Sequence, residues 1–288
     1  MSAIHAMSRI KLLALLACVL CACARTKPVQ TASQNADAVV SPSHDAASPS
    51  ASPPATTATA VSPVPAVTPP VAATSSPPSI TLRETFPGLR VDVANKVMEF
   101  DATVPINAQG ERVYLEVLVC TPNTREHETL VVTNVKPSHI HATLLLMGLQ
   151  EGTAPRWDFD GVNLTPVAPT GPRVEVFLRE SGQPASANRP IAEFVTNITN
   201  DRSLATHIRA GATAPDHLVF AGSRFVDNIY AADMDGTIVG LTAFGGETIA
   251  WTAMYHPDTD RMTPEWIADG TKLPPFRTEM IVTIVAQP

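Results

Sequence analysis

Apolar and polar residues alternate with a period of two along most of residues 80–288. "ERVYLEVLVC" sets Val113, Leu115, Val117 and Val119 on one side and Tyr114, Glu116, Leu118 and Cys120 on the other. Both sides are largely apolar, which predicts a central strand buried on two faces. Shorter runs predict further strands at Leu89–Val93 and Val97–Phe100, joined through "ANK", and at Leu130–Val132, Val174–Leu178, Leu218–Phe220, Thr237–Leu241 and Met280–Val285. "DMDG", Asp233 to Gly236, reads as a turn between two strands, with Gly236 supplying the positive φ.

One segment breaks that period. In "KPSHIHATLLLMG", Pro137 suits the first position of a helix and Gly148 its stop, while Ile140, Leu144 and Met147 recur at helical spacing. Many strands with one principal packed helix predict an α+β fold built on a mixed or antiparallel sheet.

The chain start follows a different logic. Arg9 and Lys11 precede an unbroken apolar run from Leu12 to Ala22, about the length of a signal-peptide core and too short to span a bilayer as an ordinary helix. It ends in Leu20-Cys21-Ala22-Cys23, which resembles a bacterial lipobox. Residues 1–22 are therefore expected to be a signal peptide, and Cys23 the lipidated first residue of the mature protein. Leu15-Leu16-Ala17-Cys18 fits the same pattern more loosely. Residues 23–79 then read as the lipidated N-terminus and a Pro/Ala/Ser/Thr-rich tether. No aromatic residue occurs in that stretch, and Asp37 and Asp45 are the only charges between Lys27 and Arg83. Such a segment buries too little apolar surface to offset its ordering entropy and is expected to be disordered, reaching roughly 40 Å as a flexible coil. Gram-negative lipoproteins without Asp after the modified cysteine are typically sorted outward, and Ala24 holds that position. The expectation is a lipid anchor in the outer membrane, facing the periplasm. Residues 80–288, with no composition break, form the folded domain.

Charge and cysteine count narrow what this domain can do. The net charge is −7 and the pI about 5.6, with no Lys/Arg cluster, so a nucleic-acid partner is not expected. With Cys18 and Cys21 in the signal peptide and Cys23 lipidated, Cys120 stands alone in the domain. That excludes an intradomain disulfide and a cysteine-ligated iron–sulfur cluster.

The densest chemistry lies between Cys120 and His141. "CTPNTREHETLVVTNVKPSHIHATLLLMGL", followed by "VFAGSRFVDNIYAADMDGTIVGLTAF", resembles the YdjY-domain proteins, a bacterial family found in envelope proteins. The resemblance covers the core of the domain and implies an envelope setting without assigning a reaction. The ferredoxin-like label sometimes attached to members is not carried over, because the thiols for it are missing.

Three readings of the residues follow. Cys120, His127 and one of His139 or His141, completed by Glu126 or Glu128, form a ligand set that zinc or copper would accept. The two helix histidines sit about 200° apart around the axis, so only one is expected to face His127. In a second reading Cys120 and His127 act as the thiolate and base of a small hydrolase. In the third, the acids and histidines form a hydrogen-bonded framework with Arg125 and Arg224 as partners, and the domain is a binding or accessory module for another envelope protein. No serine elbow, phosphate loop or dinucleotide fingerprint occurs.

Overall fold

The computed structural model describes residues 80–210 and 216–287. The expected signal peptide, Cys23 and the tether lie outside the described residues. The domain opens with an antiparallel meander: β1 (Arg83–Phe86), β2 (Leu89–Asp92) and β3 (Val97–Thr103). Between β2 and β3 the "ANK" turn is held by the Asp92 carboxylate, which accepts from the Asn95 backbone at 3.0 Å and its side chain at 2.7 Å. Next come β4 (Val117–Cys120), β5 (Val131–Val132), α1 (Pro137–Leu146) and a hairpin of β6 (Arg156–Phe159) with β7 (Leu164–Val167). The middle of the chain supplies β8 (Arg173–Glu180), β9 (Arg189–Pro190), β10 (Val195–Asn197), α2 (Leu204–Ala210) and β11 (Leu218–Phe220). A second hairpin of β12 (Phe225–Val226) and β13 (Ile229–Tyr230) leads into α3 (Ala231–Asp235). The last strands are β14 (Thr237–Gly240), β15 (Ile249–Trp251), β16 (Trp266–Ala268) and β17 (Glu279–Ala286).

The main sheet runs β1-β2-β3-β17-β8-β11-β15-β14-β4-β5, with β9 beside β8. It then returns on itself, because β5 also pairs with β3 at Thr103 and Val132, closing the strands from β3 to β5 into a ring. Thr133 fastens the same seam by donating its hydroxyl to the Asp101 carbonyl at 2.7 Å. Closure leaves no open edge around the ring. Pairing is mixed: β4 with β5 and β14 with β15 are parallel, and the other contacts of the sheet are antiparallel.

This corrects the expected α+β fold. The domain is a mostly β structure on a large mixed sheet, with three short α-helices among the described residues rather than one principal packed helix. The reason lies in α1. Pro137, Ile140, Thr143 and Leu144 are buried, but Leu145 and Leu146 are exposed, so one short face meets the core instead of covering a sheet layer. The core forms from side chains such as Phe100, Leu118, Leu178, Phe220 and Ile238, contributed by strands around the ring.

The ends of α1 follow the sequence. Pro137 occupies the first turn, and the chain leaves through Gly148 at φ +84°, with Leu149 N–H bonded to the Leu144 carbonyl at 3.2 Å. "DMDG" departs from its expected role: Asp233 lies within α3 and Asp235 ends it, and Gly236 (φ +78°) caps that helix instead of turning a hairpin. A Cβ there would lie 2.4 Å from Thr124 Cγ2, so both the backbone and the space require glycine.

Candidate functional site

The two sequence segments that carry the resemblance meet around α3. Asp233 reaches back to the start of α1, where its Oδ1 accepts from Ser138 N–H at 2.8 Å. A carboxylate is well placed at that helix end, because the first N–H groups lack intrahelical partners. Asp235 accepts from Thr237 N–H at 2.9 Å and lies against Gly246, where a Cβ would sit 2.1 Å from its Oδ2. Asp227 stands in the β12–β13 turn with φ 50°. These three acids therefore do three separate things.

The predicted site residues are not brought together. Cys120 is fully buried, and burial pushes its thiol pKa up, against partial relief from hydrogen bonds to Thr124, the Arg125 backbone and Thr129. His127 is on the opposite footing. It rides on a short 3-10 turn (Glu126–Glu128) with 79% of its side chain exposed, and its Nε2 is 3.6 Å from Glu128 Oε2. Glu126 folds back on the loop before it, accepting from the backbone of Asn123 and, at 2.9 Å, of Thr124.

The helix histidines turn away into separate partnerships. His139 stacks on Phe86, ring centroids 4.2 Å apart. His141 Nδ1 lies 2.9 Å from the Tyr230 hydroxyl, which continues to Thr248 at 3.2 Å. Burial lowers the His141 pKa, so the neutral imidazole fits this network. Ser223 is similarly engaged: its Oγ donates to the Gly246 carbonyl at 2.6 Å and accepts from Ala232 N–H at 3.2 Å. Among the described residues no group of three His, Cys, Asp or Glu side chains is arranged to hold a metal ion. Zinc or copper would find the expected ligands dispersed.

What does converge is a set of carboxylates around Arg125. Its Nη1 donates to Glu128 Oε1 at 3.0 Å and lies 3.9 Å from Glu116 Oε2, while the guanidinium stacks 3.7 Å above the Phe244 ring. Its Nε is buried and has no hydrogen-bond partner among the described residues. Glu116 is brought opposite Glu128 by the backbone, since Glu116 N–H donates to the Glu128 carbonyl at 3.1 Å. Partial burial, then the charge of Glu128, push the Glu116 carboxyl up to about 7 despite Arg125. Behind Phe244, Glu247 is fully buried and accepts from the backbone of Phe244 and, at 3.1 Å, of Gly245; burial pushes it up to about 7 as well. Asp235 is raised by the same cause.

Glu116, Arg125, Glu128 and Asp235 line an open basin of about 490 Å³, with Asn123, Thr124, His127 and Met234 completing its wall. Of its components, the sequence had singled out His127 and Glu128 as ligands and Arg125 as a framework partner. Glu116 was missed, and so was the buried Glu247 outside the wall. Their signal was a carboxylate inside an apolar run, "VYLEVLVC" and "GGETIAW", where an acid needs either a partner or a proton.

A family model described as the YdjY domain matches residues 89–285, which includes both motif segments, the ring of strands and the basin. No curated protein and no solved structure matches the chain.

Proposed function

The chain belongs to the YdjY-domain family, and on that premise we propose that it is a lipid-anchored envelope protein whose tethered domain is a binding module, receiving a cationic group of a partner in the basin around Arg125. The observation that carries this reading is the surplus of carboxylate there: Glu116 and Glu128 share one guanidinium in a solvent-open hollow, with Asp235 on the same wall. A cation entering would neutralise charge that Arg125 leaves uncompensated and would favour the ionised form of Glu116.

The rival readings find less support. A thiol hydrolase needs an accessible, ionisable sulfur, whereas Cys120 is fully buried with its pKa raised. A zinc or copper site needs converging ligands, and the histidines point to Glu128, Phe86 and Tyr230 instead.

Anchoring rests on the sequence: the lipobox ending at Cys23, the Pro-rich tether to residue 79, and Ala24 after the cysteine favour an outer-membrane lipoprotein facing the periplasm. No helix among the described residues is long and apolar enough to cross a membrane. Cys23→Ala is expected to move the protein from the membrane fraction to the soluble one, and retention in the membrane would refute the anchor.

Binding is tested by NMR titration of the purified protein with acetyl-arginine amide, acetyl-lysine amide and acetyl-glutamine amide. Saturable shifts at Glu116, Arg125 and Glu128 are expected for the two cations alone, stronger as pH rises through about 7 and lost in Glu128→Gln. Equal shifts from the glutamine amide, or none from any, would remove the reading.

A further inference from the structure

Two hairpins stand apart from the main sheet and expose large apolar side chains. In β6–β7 these are Phe159 at 66% exposure and, in its loop, Val162 at 84%; in β12–β13 they are Phe225 at 71% and Ile229 at 51%. Each pair of strands forms a separate two-stranded sheet among the described residues. A lone two-stranded ribbon is marginally stable in water, and its unpaired edges and apolar side chains are what a third strand would satisfy.

Both hairpins are rooted on one loop. Trp157 of the first donates its indole N–H to the Ala243 carbonyl at 3.1 Å. Ser223, at the base of the second, donates to the Gly246 carbonyl. Between these anchors lies Phe244, whose ring carries the Arg125 guanidinium of the carboxylate basin. Apolar hairpins and basin thus share the loop from Ala243 to Glu247.

Charge decides among occupants. Asp160 holds the tip of the first hairpin, accepting from Val162 N–H at 2.8 Å and Asn163 N–H at 2.7 Å, and Asp227 sits in the turn of the second. Carboxylates at both tips oppose insertion into an anionic lipid surface. Arg156 pairs with Asp158 in the first hairpin and Arg224 adjoins the second, so the surplus of carboxylate lies in the basin, which would repel a second copy of this face. An apolar segment carrying basic side chains satisfies both parts.

We infer that the two hairpins and the basin form one docking surface for an extended segment of another protein that alternates apolar and basic side chains, added along a hairpin edge. This rests on the proposed cation-receiving basin and extends it to an apolar and backbone component.

The test uses the purified full-length protein and three acetylated peptides: alternating valine–lysine, serine–lysine and valine–glutamate. The valine–lysine peptide is expected to bind, about tenfold more weakly to each of Phe225→Ser and Phe159→Ser. Serine–lysine should bind weakly with no response to those substitutions, and valine–glutamate should not bind. These side chains are exposed, so the variants should melt as the parent does. Val162→Ser is a second probe of the first hairpin should Phe159→Ser melt early.

Equal binding of valine–lysine and serine–lysine, indifferent to the hairpin variants but lost in Glu128→Gln, would overturn the docking surface and leave the basin standing. No binding of any peptide, together with no shifts from the single amino-acid amides, would take both. Sedimentation of phosphatidylglycerol–phosphatidylethanolamine vesicles, or a dimer in sedimentation velocity, abolished by Phe225→Ser, would overturn it by giving the face to lipid or to a second copy.

Discussion

Two arginine–glutamate centres in this domain have opposite fates. Arg179 and Glu99 sit at side-chain exposures of 10% and 7% and meet through two hydrogen bonds of 2.8 Å, one to each carboxylate oxygen. Asn188 and Thr283 complete the cluster: Arg179 Nη1, its two hydrogens shared among Glu99 and these neighbours, lies 3.0 Å from Asn188 Oδ1 and 2.9 Å from Thr283 Oγ1, and the Thr283 hydroxyl donates to Glu99 Oε1 at 3.2 Å. Every charge there has a geometric answer. Around Arg125 one guanidinium faces Glu116 and Glu128, its Nε is unanswered, and a carboxyl is driven to about 7. The lesson is that burial with saturation makes a polar cluster a structural clasp, while surplus charge in an open hollow leaves it something to recognise.

The largest test of that contrast is Arg179→Met. Glu99 would be left buried without its partner, and urea denaturation is expected to show a loss of about 3–5 kcal/mol. A loss below 1 kcal/mol would mean the clasp is not what it looks like.

Next comes Glu247→Gln. Burial pushes the folded carboxyl up to about 7 from its ordinary 4.5. The folded state therefore binds the extra proton between those values, so stability climbs as pH falls from 7 to 4.5 and the penalty is fully present above 7. Glutamine keeps an acceptor for the Phe244 and Gly245 N–H groups while removing the charge. It is expected to stabilise the domain at pH 8 by roughly 3 kcal/mol and to flatten that slope. An unchanged pH profile in thermal unfolding would place the titration elsewhere.

Arg125→Met should cost only about 1 kcal/mol, because the side chain is partly exposed and its stem can still cover Phe244. Its sharper readout is carbon-13 NMR of Glu116: without the guanidinium the carboxyl should titrate above 7. A fall would mean that Arg125 does not compensate it. The smallest effect belongs to His127→Ala, expected within about 0.5 kcal/mol of the parent, as for other exposed side chains. A substantial loss would revive a role for that imidazole that its exposure argues against.

Legibility in the sequence followed the apolar pattern of each element, and even the three-residue β11 coincides with its predicted run. β8 and β17 lie close to their predicted runs, because eight-residue strands carry several turns of the period-two pattern. α1 was readable from Pro137 and Gly148. The two-residue strands β9, β12 and β13 have no room for a period; β5 falls within the expected run Leu130–Val132, but its pairing with β3, which closes the ring, left no mark in the sequence. The α+β expectation failed there: without β5 bridging β4 to β3, a list of strands and one helix does not say that the sheet returns to its beginning. At the site, "EHE" drew attention because its residues are adjacent in sequence. Glu116 reaches Arg125 only through the folded chain, and it was read as a strand position.

The closing seam also governs how the domain would answer a pull. The described chain begins at Ile80, three residues before β1, and among the described residues β1 pairs only with β2. A load arriving from that end meets the meander at its free margin. It would peel β1 from β2 and β2 from β3 a few hydrogen bonds at a time, as a zipper opens, instead of shearing all of them together. Peeling ends at β3, which is held on one flank by seven residue pairs to β17 and on the other by one pair to β5. The first two strands would thus act as a mechanical fuse, yielding at low force while the ring and the basin it carries stay intact.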